Sequence, residues 1–172
     1  KIIERRTAFV DQMNTIIGGI HDSLSGGKEK LLLSYEPDIS PEDFEGKLRG
    51  SQERDIRLKQ TTVGPHRDDF AFIANEIDIR KFGSQGQQRT AALSLKLSEI
   101  ELVKTMTKDT PILLLDDVLS ELDSNRQNYL LNSLSDTQTI ITCTGLDEFV
   151  KNRFQVDKVF HVVKGQVEVI DE

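Results

Sequence analysis

An apolar strand that ends on two carboxylates constrains this chain more than any other stretch. Residues 111–123 read PILLLDDVLSELD. Ile112, Leu113, Leu114 and Leu115 form a short continuous apolar run, the pattern of a strand buried on both faces in a parallel sheet covered by helices. Asp116 and Asp117 follow at its carboxyl end. In open α/β sheets that edge is where ligands bind, and a carboxylate there can hold Mg²⁺, a hard cation that prefers oxygen ligands. Read alone, such a pair more often means a solubilising cap on a core strand, because acidic side chains are mostly exposed. The flanking sequence shifts that balance.

From Thr61 onward the pattern is α/β. Phe70 to Ala74 and Ile77 to Ile79 flank Asn75-Glu76 and predict a hairpin, after which Lys81-Phe82-Gly83 leads into a helix. Leu93, Leu97 and Ile100 recur there at helical spacing and mark the face turned toward the sheet. After the Ile112 strand come a helix from about Ser124 to Leu134 and an apolar strand, Thr139 to Cys143. Two parallel strands joined by a helix form the crossover unit of α/β folds. Lys158 to Val163 and Gln166 to Ile170, around Lys164-Gly165, predict a terminal hairpin.

The segment before Thr61 differs. Ile2, Ile3, Phe9, Val10, Met13, Ile16, Ile17 and Ile20 predict an amphipathic helix over 2–24, stopped by Ser25-Gly26-Gly27. Lys30 to Tyr35 reads as a short strand. Pro37 and Pro41 mark a turn in which Ser40 is the expected N-cap of a helix running to about Lys59. So few apolar residues cannot close a large core alone. The expected organisation is a mainly helical arm over 1–60 and an α/β domain over 61–172.

The 172 residues carry a formal net charge of −7, with 30% charged and 37% hydrophobic residues and no Trp. That length accommodates one substantial core or a core with an appendage. The acidic balance argues against the whole surface facing nucleic acid, since neutralising phosphates takes clustered Lys and Arg. A local patch is still compatible with it. Arg49, Arg54, Arg57 and Lys59 form one modest cluster, interrupted by Glu53 and Asp55, that reads as a solvated helix face. No apolar run approaches the ~20 residues that span a bilayer and no signal-peptide pattern occurs, so a chain neither membrane-bound nor secreted is expected. Cys143, the single cysteine, reads as a small core residue, which fits a reducing cytosol. The first residue is Lys1 rather than Met, which suggests a processed chain or a fragment of a longer one.

Two further elements accompany the carboxylates. Ser84-Gln85-Gly86-Gln87 has a capping-box arrangement, so a helix should begin there. Gly86 adds something a cap does not need: it lets a phosphate approach N–H groups at the positive end of the helix dipole. By itself the stretch more often means a capped helix with an incidental glycine. Ser120-Glu121-Leu122-Asp123 reads locally as a loop with an acidic N-cap at Asp123, which Arg126 can pair.

Taken in order, FGSQGQQRT from Phe82, ILLLDD from Ile112 and the SELD that follows resemble the signature motif, Walker B motif and D-loop of ABC-type ATPases. More narrowly, Thr61 to Asp69 (TTVGPHRDD) and the spacing through Ser120, Glu121, Leu122, Asp123, Arg126 and Leu130 resemble the RecF family of bacterial recombination-repair proteins. The resemblance places the whole chain on the carboxyl-terminal half or so of such a protein. It implies part of an ABC-type ATPase head, with a parallel-strand core, flanking helices and a terminal hairpin, plus the helical arm. Asp116 would help hold the nucleotide Mg²⁺, and Asp117 would polarise the attacking water. Ser84, Gly86 and Gln87 would contact the γ-phosphate of ATP bound mainly by a second subunit, and Asp123 would line the dimer interface. Positioning and electrostatic stabilisation are what phosphoryl transfer requires. The implied whole is a cytoplasmic, nucleoid-associated, ATP-dependent homodimer. It acts on gapped DNA and single-/double-strand junctions with mediator proteins such as RecR and RecO, supporting recombinase loading in repair and replication.

The chain departs from that pattern in three places. Asp117 stands where most ABC-type ATPases have Glu, consistent with slow, switch-like hydrolysis. Thr144-Gly145 stands where many have a switch His, while His21, His66 and His161 lie elsewhere. No G-x-x-x-x-G-K-[ST] loop occurs: Gly27-Lys28 precedes Glu29 and Gly46-Lys47 precedes Leu48, so tight ATP binding by this chain alone is not expected. His66, Arg67, Asp68 and Asp69 read either as a turn with local ion pairs or as groups reaching toward nucleotide or DNA. Two other functions fit the chain. One is a non-catalytic module whose arm binds a mediator protein. The other is a head fragment of the chromosome-maintenance or double-strand-break repair ATPases, whose long coiled coils the 2–24 helix matches less well. Unpaired sheet edges are a further expectation.

Overall fold

The structure is a computed structural model that describes residues 1–134, 136–144 and 156–170. Its contacts divide the chain into two compact units, Lys1–Pro111 and Ile112–Glu172. The fold is α/β, with helices and strands interleaved along the chain.

In the first unit, helix α1 (Ile2–Ser25) buries Val10, Met13, Ile17, His21 and Leu24, a stripe at helical spacing. Gly26, left-handed at φ 67°, ends it as the glycine signal predicts. Strand β1 (Leu31–Glu36) pairs antiparallel with β2 (Asp69–Ala74), which pairs with the short β3 (Ile77–Asp78). Asn75 and Glu76 both have positive φ, the geometry of a two-residue hairpin turn. The outer edge of β1 is partly closed by α1: the Asn14 amide bonds both the N–H and the carbonyl of Leu33, each at 2.8 Å. Helix α2 (Phe44–Leu58) begins later than expected. Ser40 does cap, but it caps the turn before the helix, its hydroxyl accepting the Asp43 N–H at 3.2 Å.

A one-turn helix α3 (Ile79–Phe82) takes in Ile79, which was expected to end the strand, and leads into the long helix α4 (Gln85–Thr107). Helix α4 packs along α1. Met13, Ile17, Leu31, Leu33, Ala74, Ile79, Ala91 and Leu102 build one core from α1, the sheet, α3 and α4. Leu93, Leu97 and Ile100 are buried as predicted. Strand β1, from the arm expected over 1–60, pairs with β2 from the residues that follow, and both lie in this unit.

The second unit holds the parallel pair β4 (Leu113–Asp116) and β5 (Thr139–Thr142), joined through helix α5 (Ser124–Asn132), as the sequence predicts. The antiparallel hairpin β6 (Val159–Val163) and β7 (Gln166–Ile170) turns on Lys164 and Gly165, both at positive φ. Two expectations fail here. The β4 strand is covered on one face only: Leu115 is buried, whereas Leu114 and its register partner Ile140 are 69% and 55% exposed. Leu130, Leu131 and Leu134 turn inward, and the described residues supply no second layer over the Leu114 face. Cys143, expected in the core, is exposed, because β5 ends at Thr142 and leaves it beyond the paired strand. Among the described residues, no helix is long and apolar enough to cross a membrane.

Candidate nucleotide site

Asp116 closes β4 opposite Thr142. The Thr142 hydroxyl donates to Asp116 Oδ1 and accepts the Asp117 N–H at 3.1 Å; that N–H is shared with the Thr142 carbonyl, also at 3.1 Å. Asp117 sits in the left-handed region (φ 51°, ψ 21°), a conformation that Asp and Asn tolerate better than most side chains. A 3₁₀ turn, Val118–Glu121, follows, and the Ser120 hydroxyl donates to the Asp117 carbonyl at 2.8 Å. Both carboxylates are exposed. Asp116 Oδ2 has no hydrogen-bond partner among the described residues, so it is open to a cation.

No group of three or more His, Cys, Asp or Glu gathers as a metal cage among the described residues. Mg²⁺ does not need one, since it binds through one or two carboxylates together with phosphate oxygens and water. One open carboxylate oxygen beside a hydroxyl fits that donor set.

Asp123 is the N-cap of α5, as predicted. Its Oδ1 accepts the N–H groups of Asn125 and Arg126 at 3.1 and 3.0 Å, and the Arg126 guanidinium donates to its Oδ2 at 2.8 Å. Gln127 Nε2 donates to the Leu119 carbonyl at 2.8 Å, tying the loop to the helix it precedes. The backbone of Ser120-Glu121-Leu122-Asp123 is therefore held at both ends.

In the first unit, Ser84 and Gln87 complete the predicted capping box: Gln87 N–H donates to Ser84 Oγ at 3.3 Å and Ser84 N–H to Gln87 Oε1 at 2.9 Å. The N–H groups of Gln85 and Gly86 lie in the first turn, where no helical acceptor exists. A Cβ placed on Gly86 would meet nothing closer than Ser84 Oγ at 3.9 Å, so a ligand has room to approach. The Ser84 hydroxyl accepts within the box and keeps its own proton to donate. One N–H of the Gln87 amide donates to Glu29 Oε1 at 2.8 Å.

Two residues fix this turn from the α3 side. A Cβ on Gly83 would lie 2.5 Å from the Ile79 carbonyl oxygen and 2.7 Å from its Cβ, so glycine is required by close packing. Gln88 Nε2 donates to the carbonyls of Ile79, Arg80 and Gly83, the first at 3.0 Å.

Of the two meanings open for residues 66–69, a turn with ion pairs is what the structure contains. Pro65–Arg67 forms a 3₁₀ turn, and His66 Nε2 lies 2.9 Å from the Thr61 carbonyl. The pairs are not local, however. The Asp68 side chain, only 2% exposed, accepts from Arg6 Nη1 at 2.6 Å, from the Tyr35 hydroxyl, and from the Asp38 N–H at 3.0 Å. Burial pushes its carboxyl up, but Tyr35, the Asp38 amide and Arg6 outweigh burial and hold it below the usual range. Asp69 pairs with Arg80 at 2.8 Å.

Ser84 to Gln87 lie in the first unit and Asp116 to Asp123 in the second. Gly145 and the Glu121 side chain fall outside the described residues. Sequence reasoning missed His21, Glu29, Gln88 and Ser94. Only His21 carried a signal, being a polar residue four positions after Ile17 on the buried stripe.

No protein-family model matches the chain. It is 71% identical over 171 residues to the DNA replication and repair protein RecF of Agathobacter rectalis, an alignment covering 99% of this chain and 47% of the relative. The chain thus spans about half the length of the curated relatives it matches. A solved structure of the recombination mediator protein RecF with ATP in the RecFOR pathway matches at a TM-score of 0.78 and 34% identity, over 98% of this chain and 46% of the other. An SMC head bound to the C-terminal winged-helix domain of ScpA shares the fold, at a TM-score of 0.57 and 18% identity over 95% of this chain and 43% of the other. Over 171 of its residues, this chain belongs to the RecF family and corresponds to the carboxyl-terminal part of it.

Proposed function

We propose that this chain supplies the metal, water and signature elements of an ATP site shared between two copies of a DNA-repair ATPase. The observation that carries the proposal is the hold of one residue, Thr142, on both Asp116 and Asp117 at the carboxyl end of a parallel strand. The naming of the 71%-identical relative as a replication and repair protein and the ATP in the RecF structure support the same reading.

In this reading Asp116, through its open oxygen, holds Mg²⁺, which when bound neutralises charge on the phosphates. Asp117 orients a water and accepts its proton. The Ser84 hydroxyl and the N–H groups of Gln85 and Gly86 face the γ-phosphate of ATP bound mainly by the partner copy, where dipole and donors both favour an anion. Asp123, in the D-loop, lines the dimer face. A phosphate loop from the rest of the relatives' length completes the site. Residues 1–60 act as the arm and 61–172 as part of the head. The assembled dimer works in the cytoplasm on gapped DNA with mediator proteins such as RecR and RecO and supports recombinase loading.

The test compares the chain alone with a full-length protein of this family containing it. The full-length protein should dimerise with ATP and hydrolyse it slowly, and Asp117→Asn should abolish turnover while ATP binding persists. Micromolar Mg·ATP binding by the chain alone would sink the shared-site reading.

A further inference from the structure

His21 is fully buried on α1, with Nδ1 2.9 Å from Ser94 Oγ on α4 and Nε2 3.1 Å from Glu29 Oε2. The Ser94 hydroxyl also lies 2.8 Å from the Thr90 carbonyl, which ties it to its own helix. A carboxylate only accepts, so the Nε2–Glu29 contact is a hydrogen bond from the ring to the carboxylate. The other Glu29 oxygen takes the Gln87 Nε2–H at 2.8 Å, and Gln87 Oε1 takes the Ser84 N–H. The Glu29 backbone is itself pinned. Its N–H donates to Ser25 Oγ at 3.3 Å, and the Asn75 side chain bonds Lys30 N–H at 3.0 Å and the Lys28 carbonyl at 3.2 Å.

A buried histidine satisfied by a serine and a glutamate often serves packing alone. Here the bonds continue past the core to the first turn of α4, and they end on the residue whose N–H and hydroxyl flank the open donors. We propose that Glu29, seated on His21, is a positioning residue for the signature turn. The Gln87 side chain then holds the turn rather than the ligand, and the phosphate-facing donors are the Ser84 hydroxyl and the N–H groups of Gln85 and Gly86. This inference rests on the shared-ATP-site reading. Pre-organised donors matter because small misplacements of a positioned group cost large factors in rate.

The test uses the full-length family protein containing this chain. Glu29→Ala should lower kcat for ATP by about tenfold with little change in KM, since ATP is held mainly by the partner's phosphate loop. Glu29→Gln should restore most of the rate, because its amide oxygen still accepts from the Gln87 side chain. Gln87→Leu cuts the same link while leaving the His21–Glu29 pair intact, so it should reproduce the loss even if Glu29→Ala does not fold. Folded Glu29→Ala and Gln87→Leu proteins with wild-type kcat would overturn the inference, as would a Glu29→Gln rate as low as that of Glu29→Ala. Ser84→Arg separates the two levels. If it abolishes turnover while the Glu29 and Gln87 variants do not, only the positioning role fails; if it changes nothing, the ATP-site reading fails and this inference with it.

Discussion

The Thr142 hydroxyl donates to the carboxylate of Asp116, its register partner across the parallel β4–β5 pair. The same oxygen accepts the Asp117 N–H, so one side chain orders the residue before the bend and the backbone within it. Thr142→Val keeps the shape of the side chain and removes both bonds. Unfolding of the chain should then come about 1 kcal/mol earlier in stability. In the full-length protein, the Mg²⁺ concentration needed for half-maximal hydrolysis should rise several-fold, which a Mg²⁺ titration at saturating ATP measures.

Gly83 is fixed by contact rather than by backbone angle. Its φ of −78° suits any residue, but an added Cβ would collide with Ile79. Gly83→Ala should destabilise the first unit by about 1–3 kcal/mol, the usual range for forcing atoms into a packed site. Because Gly83 immediately precedes the Ser84 cap, the amide hydrogens of the first α4 turn should also exchange faster. Chemical denaturation and hydrogen exchange check the two effects separately.

Asp68 should make the first unit acid-sensitive. Its folded-state carboxyl lies below the usual value, so its stabilising contribution is complete above the unfolded carboxyl range near ~4 and is lost as pH falls through the lower folded value. Asp55, Asp69 and Asp78 shift in the same direction, so Asp68 contributes one part of the acid limb. Asp68→Asn should cost on the order of 2 kcal/mol at neutral pH, by leaving buried donors poorly matched, and flatten stability between about pH 5 and 2. An unchanged acid limb in a urea series across that range would refute the assignment.

Leu114 and Leu115 are neighbours in one strand and should behave oppositely. Leu115, 6% exposed, should cost about 2–4 kcal/mol on truncation to Ala, whereas Leu114 at 69% should stay within about 0.5 kcal/mol. Equal effects in thermal unfolding of the chain would mean that the Leu114 face is covered.

Much of the chain was legible because its signals are short-range. The α1 stripe and its glycine stop, the Ser84–Gln87 box, the Asp123 cap with Arg126, and the two hairpin turns all involve residues within a turn or two of each other. Local backbone geometry and capping chemistry decide such features, and the sequence displays both. The carboxylate strand and its parallel partner were visible for the same reason, as apolar runs of strand length bounded by polar residues.

What only the tertiary structure decided depends on residues far apart in sequence. Glu29 meets Gln87 across 58 residues and Arg6 meets Asp68 across 62; nothing in either neighbourhood announces the other. Thr142 and Asp116 face each other because of strand register, which a period-two pattern cannot fix for two short strands. Exposure is equally non-local: an apolar run says that Leu114 seeks cover, but whether cover exists depends on which layers the chain itself supplies. The sequence by itself therefore determined which turns can present donors and carboxylates. Long-range packing and hydrogen bonding decided which of those groups are held in place, and by what.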